Sequence, residues 1–154
     1  FYLVAYSFTT LAAFGMVPLV RSAGSEATHL SQWAGLGKTS PVLAATFSFL
    51  LLGFAGIPLT SGFTAKFALF SGAVGHGSTW LVVIAMLMSA VTAFVYIRII
   101  VLMYFSDPTG DTHVLIPSPL TGVAVTVGAL ATLVLGVAPA PLLNLAQHSA
   151  LFIR

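Results

Sequence analysis

The sequence predicts an all-α fold, a polytopic transmembrane helical bundle of about five spans with one discontinuous helix. Three observations carry this: 58% of the 154 residues are hydrophobic, only 5% are charged, and the apolar residues run in continuous stretches between turn signals. A soluble domain carries roughly 25% charged residues to keep its surface in water, so a soluble fold is excluded. Unpaired backbone N–H and C=O groups are so costly in hydrocarbon that a spanning segment must be a helix or part of a closed barrel. Barrel strands alternate polar and apolar residues, and these stretches do not.

A crossing needs roughly 20 mostly apolar residues, with roughly 17 as the lower limit. The first stretch covers residues 1–20 and is closed by Arg21. The second, 41–57, opens on Pro41, whose fixed φ suits the first position of a helix. It meets Gly56-Ile57-Pro58, where proline cannot donate to the helical ladder and glycine weakens it, so a break is expected there. The third, 59–74, is short and ends in Gly75-His76-Gly77, whereas the fourth, 80–105, is long and uninterrupted. After Asp107-Pro108 and Pro117-Ser118-Pro119 the fifth runs over 120–137 and stops at Pro139 and Pro141. Residues 1–154 are thus expected to form a single transmembrane domain, with the tail to Arg154 as a short surface helix. Because Phe1 opens inside an apolar run without a methionine, the chain reads as the interior of a longer polypeptide. Between residues 21 and 40, Leu30, Trp33 and Leu36 recur at three-residue spacing. That suits either a helical turn at the headgroup level, where tryptophan is enriched, or an ordinary loop.

Of the charged residues, Arg21, Glu26, Lys38, Asp107, Asp111 and Arg154 fall between stretches or at the chain end, leaving Lys66 and Arg98 inside them. The net charge is +2, but the basic residues are scattered, so no nucleic-acid partner is expected. Without cysteine there is no disulfide, iron–sulfur or thiolate zinc site. His29, His76, His113 and His148 lie in expected loops or the tail without i,i+4 pairing, so no metal site is expected. Gly35-Leu36-Gly37-Lys38-Thr39 imitates half of a phosphate-binding loop, but Gln32 stands where the first glycine is required and no strand is expected before it.

Lys66 is the strongest functional signal, set among Phe63, Phe67, Leu69 and Phe70. An intramembrane ammonium costs about 2.5–3.5 kcal/mol on insertion scales, so such a residue faces a bundle interior or a hydrated cavity and marks an ion or proton route. A lysine there that gains and loses a proton is a relay. The alternative is a lysine whose four-carbon stem snorkels to an interface. Beside it lies the Gly56, Pro58 and Gly62 break, and transporters place broken helices at their ion sites because unwound carbonyls and half-helix ends supply polar groups there. Ser89, Thr92 and Tyr96, at i, i+3 and i+7, form a polar stripe that suits a water file beside Lys66 or plain interhelical hydrogen bonding. Tyr2, Tyr6 and Thr9 make a similar stripe on the first stretch, and Arg98 is placed to snorkel to phosphates.

These residues resemble the antiporter-like subunits of the bacterial proton-translocating NADH:quinone oxidoreductase, respiratory complex I, and among them the C-terminal portion of the N-type subunit. The resemblance is carried by Ala5-Tyr6-Ser7-Phe8 with Gly15, by Gly35-Leu36-Gly37-Lys38 before Pro41, by Ala55 to Phe63 running on to Lys66-Phe67, and by Tyr96-Ile97-Arg98. It implies that the spans are helices ten to fourteen of a fourteen-helix subunit in the bacterial cytoplasmic (inner) membrane, with Lys66 on the broken helix as the conducting lysine. It also implies that NADH, flavin mononucleotide, Fe-S clusters and quinone belong to other subunits, and that this chain holds no cofactor. Partners would be the other membrane subunits of the complex, especially neighbouring antiporter-like ones, together with lipid, water and protons. Two alternatives stand beside this one: a subunit of a related cation/proton antiporter or membrane-bound hydrogenase, and a non-conducting membrane scaffold. Basic residues at Arg21, Lys38 and Arg154 assign the long first loop to the cytoplasm, whereas the resemblance implies the opposite side.

Overall fold

Helices account for most of the chain because only they satisfy every backbone group within one apolar segment. The computed structural model describes residues 1–22, 25–108, 112–114, 119–141 and 144. Its main helices are α1 (Tyr2–Met16), the four-residue α2 (Leu36–Thr39), α3 (Pro41–Ala55), α4 (Ser61–Gly75), α5 (Thr79–Phe105) and α6 (Pro119–Val137). A 3₁₀ turn over Val17–Leu19 prolongs α1, and that combined segment, α5 and α6 are each long and apolar enough to cross a membrane. The chain is therefore an integral membrane protein of all-helical class.

Between helices in lipid there is no hydrophobic drive, so close approach through small residues holds the bundle together. Along α1 and α6 that approach is tight. A Cβ on Gly128 would lie 2.7 Å from Ala12 Cβ and 2.8 Å from the Phe8 carbonyl oxygen, and one on Gly15 would lie 3.1 Å from Val125. Ala5, Ala12, Ala13 and Met16 of α1 are all buried.

Helices α3 and α4 have 15 residues each, or roughly 22 Å at about 1.5 Å per residue, short of a hydrocarbon core of about 30 Å. Their positions against α5 explain this. The ring of Phe54 near the end of α3 lies 5.8 Å from Tyr96, and Met103 further along α5 joins the core that holds Phe47 and Leu50. Helix α4 instead shares a cavity with Met86 and Ser89 of the first half of α5. The two half-length helices thus follow one another along α5, so the stretches 41–57 and 59–74, counted as two spans in the sequence, are the halves of one discontinuous helix, the α3–α4 pair. Sequence placed the break at Gly56, Pro58 and Gly62; the helical gap covers residues 56–60, so Gly56 and Pro58 lie in it while Gly62 lies inside the first turn of α4.

The connections between α1 and α3 and between α5 and α6 hold structure that the sequence did not foretell. Strands β1 (Val20–Ser22), β2 (Ser25–Glu26) and β3 (Thr112–Val114) form a small antiparallel sheet in the order β2-β1-β3, with Arg21 opposite Glu26 on one side and opposite His113 on the other. Backbone groups outside helices need partners, and this pairing supplies them. The three-residue spacing of Leu30, Trp33 and Leu36 is answered by a 3₁₀ turn over Leu30–Trp33, whose period is three. Trp33 is inserted into the bundle, stacked 4.9 Å from Phe47, and Leu36 is buried, while Leu30 is exposed. So the tryptophan is a packing residue here and not a headgroup anchor.

The Gly35–Lys38 segment docks on the end of α5. Gly35 has φ 70° and donates its N–H to the Leu102 carbonyl at 3.3 Å; a Cβ there would sit 2.6 Å from Pro108. Gly37 lies against Tyr104, and the Lys38 ammonium pairs with Asp107 at 2.7 Å. These contacts explain the glycines without any phosphate. The expected tail helix, with His148 and Arg154, lies outside the described residues, as does Asp111.

Candidate functional site

The site begins with how α3 ends. Gly56 adopts φ 82°, ψ 42°, the left-handed conformation that glycine reaches without a Cβ penalty. Its N–H donates to the Gly53 and Leu52 carbonyls at 3.1 and 3.0 Å, and the Ile57 N–H donates to Leu52 at 3.2 Å. This Schellman closure occupies the carbonyls of Leu52 and Gly53. The carbonyls of Phe54 and Ala55, the last two of the helix, remain exposed to the break.

Lys66 fills that vacancy. Side chains in a helix lean toward its N-terminus, so the stem of Lys66 runs back along α4 toward the break. There its Nζ donates to the Phe54 carbonyl at 3.0 Å and the Ala55 carbonyl at 3.2 Å. A cation at the C-terminal end of a helix also meets the negative end of the helix dipole. Gly56 leaves room for it: a Cβ there would stand 3.1 Å from Lys66 Cδ and 3.3 Å from Nζ. One turn before Lys66, Gly62 packs directly on the Gly53 carbonyl oxygen, so α4 starts alongside the end of α3. The loop between them is held on its other side by Gly136 of α6, against the backbone of Leu59 and Thr60. Leu59 itself has φ 75°, a left-handed conformation that is strained for a residue with a Cβ. The Thr60 hydroxyl donates to the Ile57 carbonyl at 2.7 Å, tightening the turn.

Lys66 borders two cavities. The larger, of about 610 Å³, is lined by Phe63, Phe67 and Phe70 of α4 and by Met86 and Ser89 of α5. The smaller, of about 10 Å³, is closed in by Tyr6, Thr9, Phe54, Ser61 and Gly62. Of the polar stripe on α5, Ser89 shares the larger cavity with Lys66. Thr92 is exposed and donates to its own helix, at the Ser89 carbonyl 2.9 Å away and the Met88 carbonyl 3.2 Å away. Tyr96 lies beside Phe54 on a separate cavity of about 280 Å³ that it shares with Tyr6 and Thr10. Pro58 sits exposed in the loop, and Arg98 is exposed beside Leu30 and Ser31 at the α5 end of the bundle, away from Lys66. His29 and His76 are exposed, His76 bonding the Gly72 carbonyl of its own helix at 2.8 Å.

The first-helix stripe divides. Tyr2 and Tyr6 stack at 5.7 Å, while Thr9 turns inward. Thr9 Oγ1 lies 2.9 Å from Thr132 Oγ1 of α6 and 3.5 Å from Ser61 Oγ of α4, and all three residues are at most 3% exposed. Sequence reasoning missed Ser61 and Thr132 as partners, because their separation of up to 123 positions leaves no local pattern. For Thr132 the sequence signal is a lone hydroxyl inside an apolar run, whereas Ser61 follows Thr60 within the expected break.

Fold and site together define a class: a polytopic helical membrane protein whose two half-length helices meet at an internal lysine. The NADH:quinone oxidoreductase/Mrp antiporter transmembrane family matches residues 1–92, and the chain belongs to that family. It is 60% identical over 151 residues to the NADH-quinone oxidoreductase subunit N of a Parafrankia species, a match covering 97% of this chain and 29% of the relative. To subunit N of Salinispora arenicola it is 59% identical, covering 100% of this chain and 30% of that one. Among solved structures, a chain of respiratory complex I from Thermus thermophilus with bound aureothin superimposes with a TM-score of 0.77 at 27% identity, covering 90% of this chain and 31% of that one. The chain thus spans less than a third of the length of these relatives.

Proposed function

We propose that this chain is the C-terminal part of an N-type subunit of a proton-translocating NADH:quinone oxidoreductase, a translocase, and that Lys66 is an intramembrane proton relay in it. The observation that carries the reading is the Lys66 amine bound to the two free end carbonyls of α3 while bordering a cavity of about 610 Å³. An amine held this way has polar partners for its charged form and space for water beside it. Such water would be its route for exchange, with Ser89 supplying a hydroxyl on the wall of that cavity. The subunit-N relatives at 59–60% identity support the choice of complex within the family. Coupling to quinone reduction is then conformational and electrostatic, with the redox groups and partner membrane subunits supplied by the rest of the complex in the bacterial inner membrane. The test is Lys66→Ala in the intact complex, measuring proton pumping and assembly separately. Normal pumping removes the relay role, and failed assembly would favour a scaffold.

A further inference from the structure

We propose that the small cavity beside Lys66 is a site for one water molecule, which joins the Lys66 amine to a three-hydroxyl chain, Ser61, Thr9 and Thr132, linking α4, α1 and α6. The size fits: about 10 Å³ is close to the least space that holds a single water, roughly 10–15 Å³ by this measure. The polar lining fits as well. Ser61 is 0% exposed, yet its one described hydroxyl contact is the 3.5 Å approach to Thr9, beyond the usual 2.5–3.0 Å of an O–H···O bond. A fully buried hydroxyl requires a partner, and the cavity that Ser61 lines is where one would stand. Lys66 has three N–H donors; two reach Phe54 and Ala55, and the third is available to the same cavity.

Hydroxyl counting then orders the chain. Each hydroxyl has one proton to give. Thr132 donates to the Gly128 carbonyl at 2.8 Å, and Thr9 is placed to donate either to the Ala5 carbonyl at 3.1 Å or to Thr132 at 2.9 Å. With Lys66 as ammonium, it donates to the water, the water donates its two protons to Ser61 and Thr9, and Thr9 donates to Thr132. With Lys66 as neutral amine, its lone pair accepts from the water, and the hydroxyls can rotate to point the other way. The hydroxyl rotations break no covalent bond; the one N–H bond of Lys66 that breaks gives its proton to water in the larger cavity that Lys66 also borders. The protonation state of Lys66 is thereby felt as hydrogen-bond direction at α6.

The effect on pumping rests on the relay reading of Lys66, whereas the water site does not. The test uses the intact complex. A map that displays ordered water should contain a peak within hydrogen-bond range of Lys66 Nζ and Ser61 Oγ; an empty cavity overturns the proposal, whatever Lys66→Ala does to pumping. Thr9→Val keeps the shape and removes the hydroxyl, and should lower pumping roughly tenfold in assembled complex, the effect of about one hydrogen bond. Thr9→Ser should restore it. Pumping unchanged in Thr9→Val, or Thr9→Ser as impaired as Thr9→Val, overturns the hydroxyl chain. If Thr9→Val does not assemble, the wild-type water peak and the Thr9→Ser rate still decide.

Discussion

The Lys66 ammonium and the Phe54 carbonyl oxygen, twelve positions apart in sequence, stand 3.0 Å from each other across the break between α3 and α4. The same amine therefore has a structural task, closing the end of α3, and the chemical task proposed for it. Substitution separates the two. Lys66→Arg keeps the charge and donors but cannot release a proton, so it should assemble and pump at least about tenfold more slowly. Lys66→Met loses the cap too, and should also lower thermal stability of the complex by about 1–2 kcal/mol, the value of a buried hydrogen bond or two. Equal pumping by Lys66→Arg and wild type would remove the relay.

Gly62 and Gly72 lie on the same helix, and only one of them is needed for packing. A methyl on Gly62 would collide with the Gly53 carbonyl, whereas nothing lies within 4 Å of the position a methyl would take on Gly72. Gly62→Ala should destabilise by about 1–3 kcal/mol through overpacking and displace Lys66 from its carbonyls. Gly72→Ala should be neutral or stabilising by up to about 1 kcal/mol. Thermal inactivation of the two purified complexes checks the contrast.

Trp33 is 6% exposed and stacked on Phe47, pinning the segment before α3 to the bundle. Trp33→Ala should cost about 3–5 kcal/mol, with the loop becoming susceptible to proteolysis. A variant with unchanged stability would mean that the ring packs elsewhere.

Asp107 is held below the ordinary carboxylate range, chiefly by the hydrogen bond from Lys38 and then by its charge. A carboxylate with a lowered folded-state pKa stabilises above its unfolded value, and that contribution disappears as pH falls through the folded value. Both side chains are well exposed, 54% and 93%, so the effect is small and screened by salt. Asp107→Asn should therefore lie slightly below wild type in unfolding temperature at neutral pH and converge with it under acid. A gap that widens on acidification would contradict the pairing.

Much of the fold was legible because lipid enforces simple rules on composition. Apolar length located the helices at residues 1–20, 41–57, 59–74, 80–105 and 120–137, and each of these stretches carries one. Gly56 and Pro58 located the break, since glycine takes the left-handed turn and proline cannot extend a helix. Lys66 was conspicuous because a charge amid Phe63, Phe67 and Phe70 needs a reason. The polar stripe was less informative: periodicity assigns residues to a face but not that face to a neighbour, and so Ser89, Thr92 and Tyr96 were grouped together although they reach different surroundings.

What the sequence determined by itself is local: where the chain is apolar enough to be helical, where the helix fails, and that Lys66 and Arg98 fall within apolar stretches. The tertiary structure alone decided the partners. Phe54 and Ala55 are apolar residues, and their part in the site belongs to backbone oxygens that any residue carries. Thr9, Ser61 and Thr132 meet only because α1, α4 and α6 pack through small residues closely enough for short hydroxyls to touch. Such contacts depend on interhelical distance, which no periodicity within a single segment encodes.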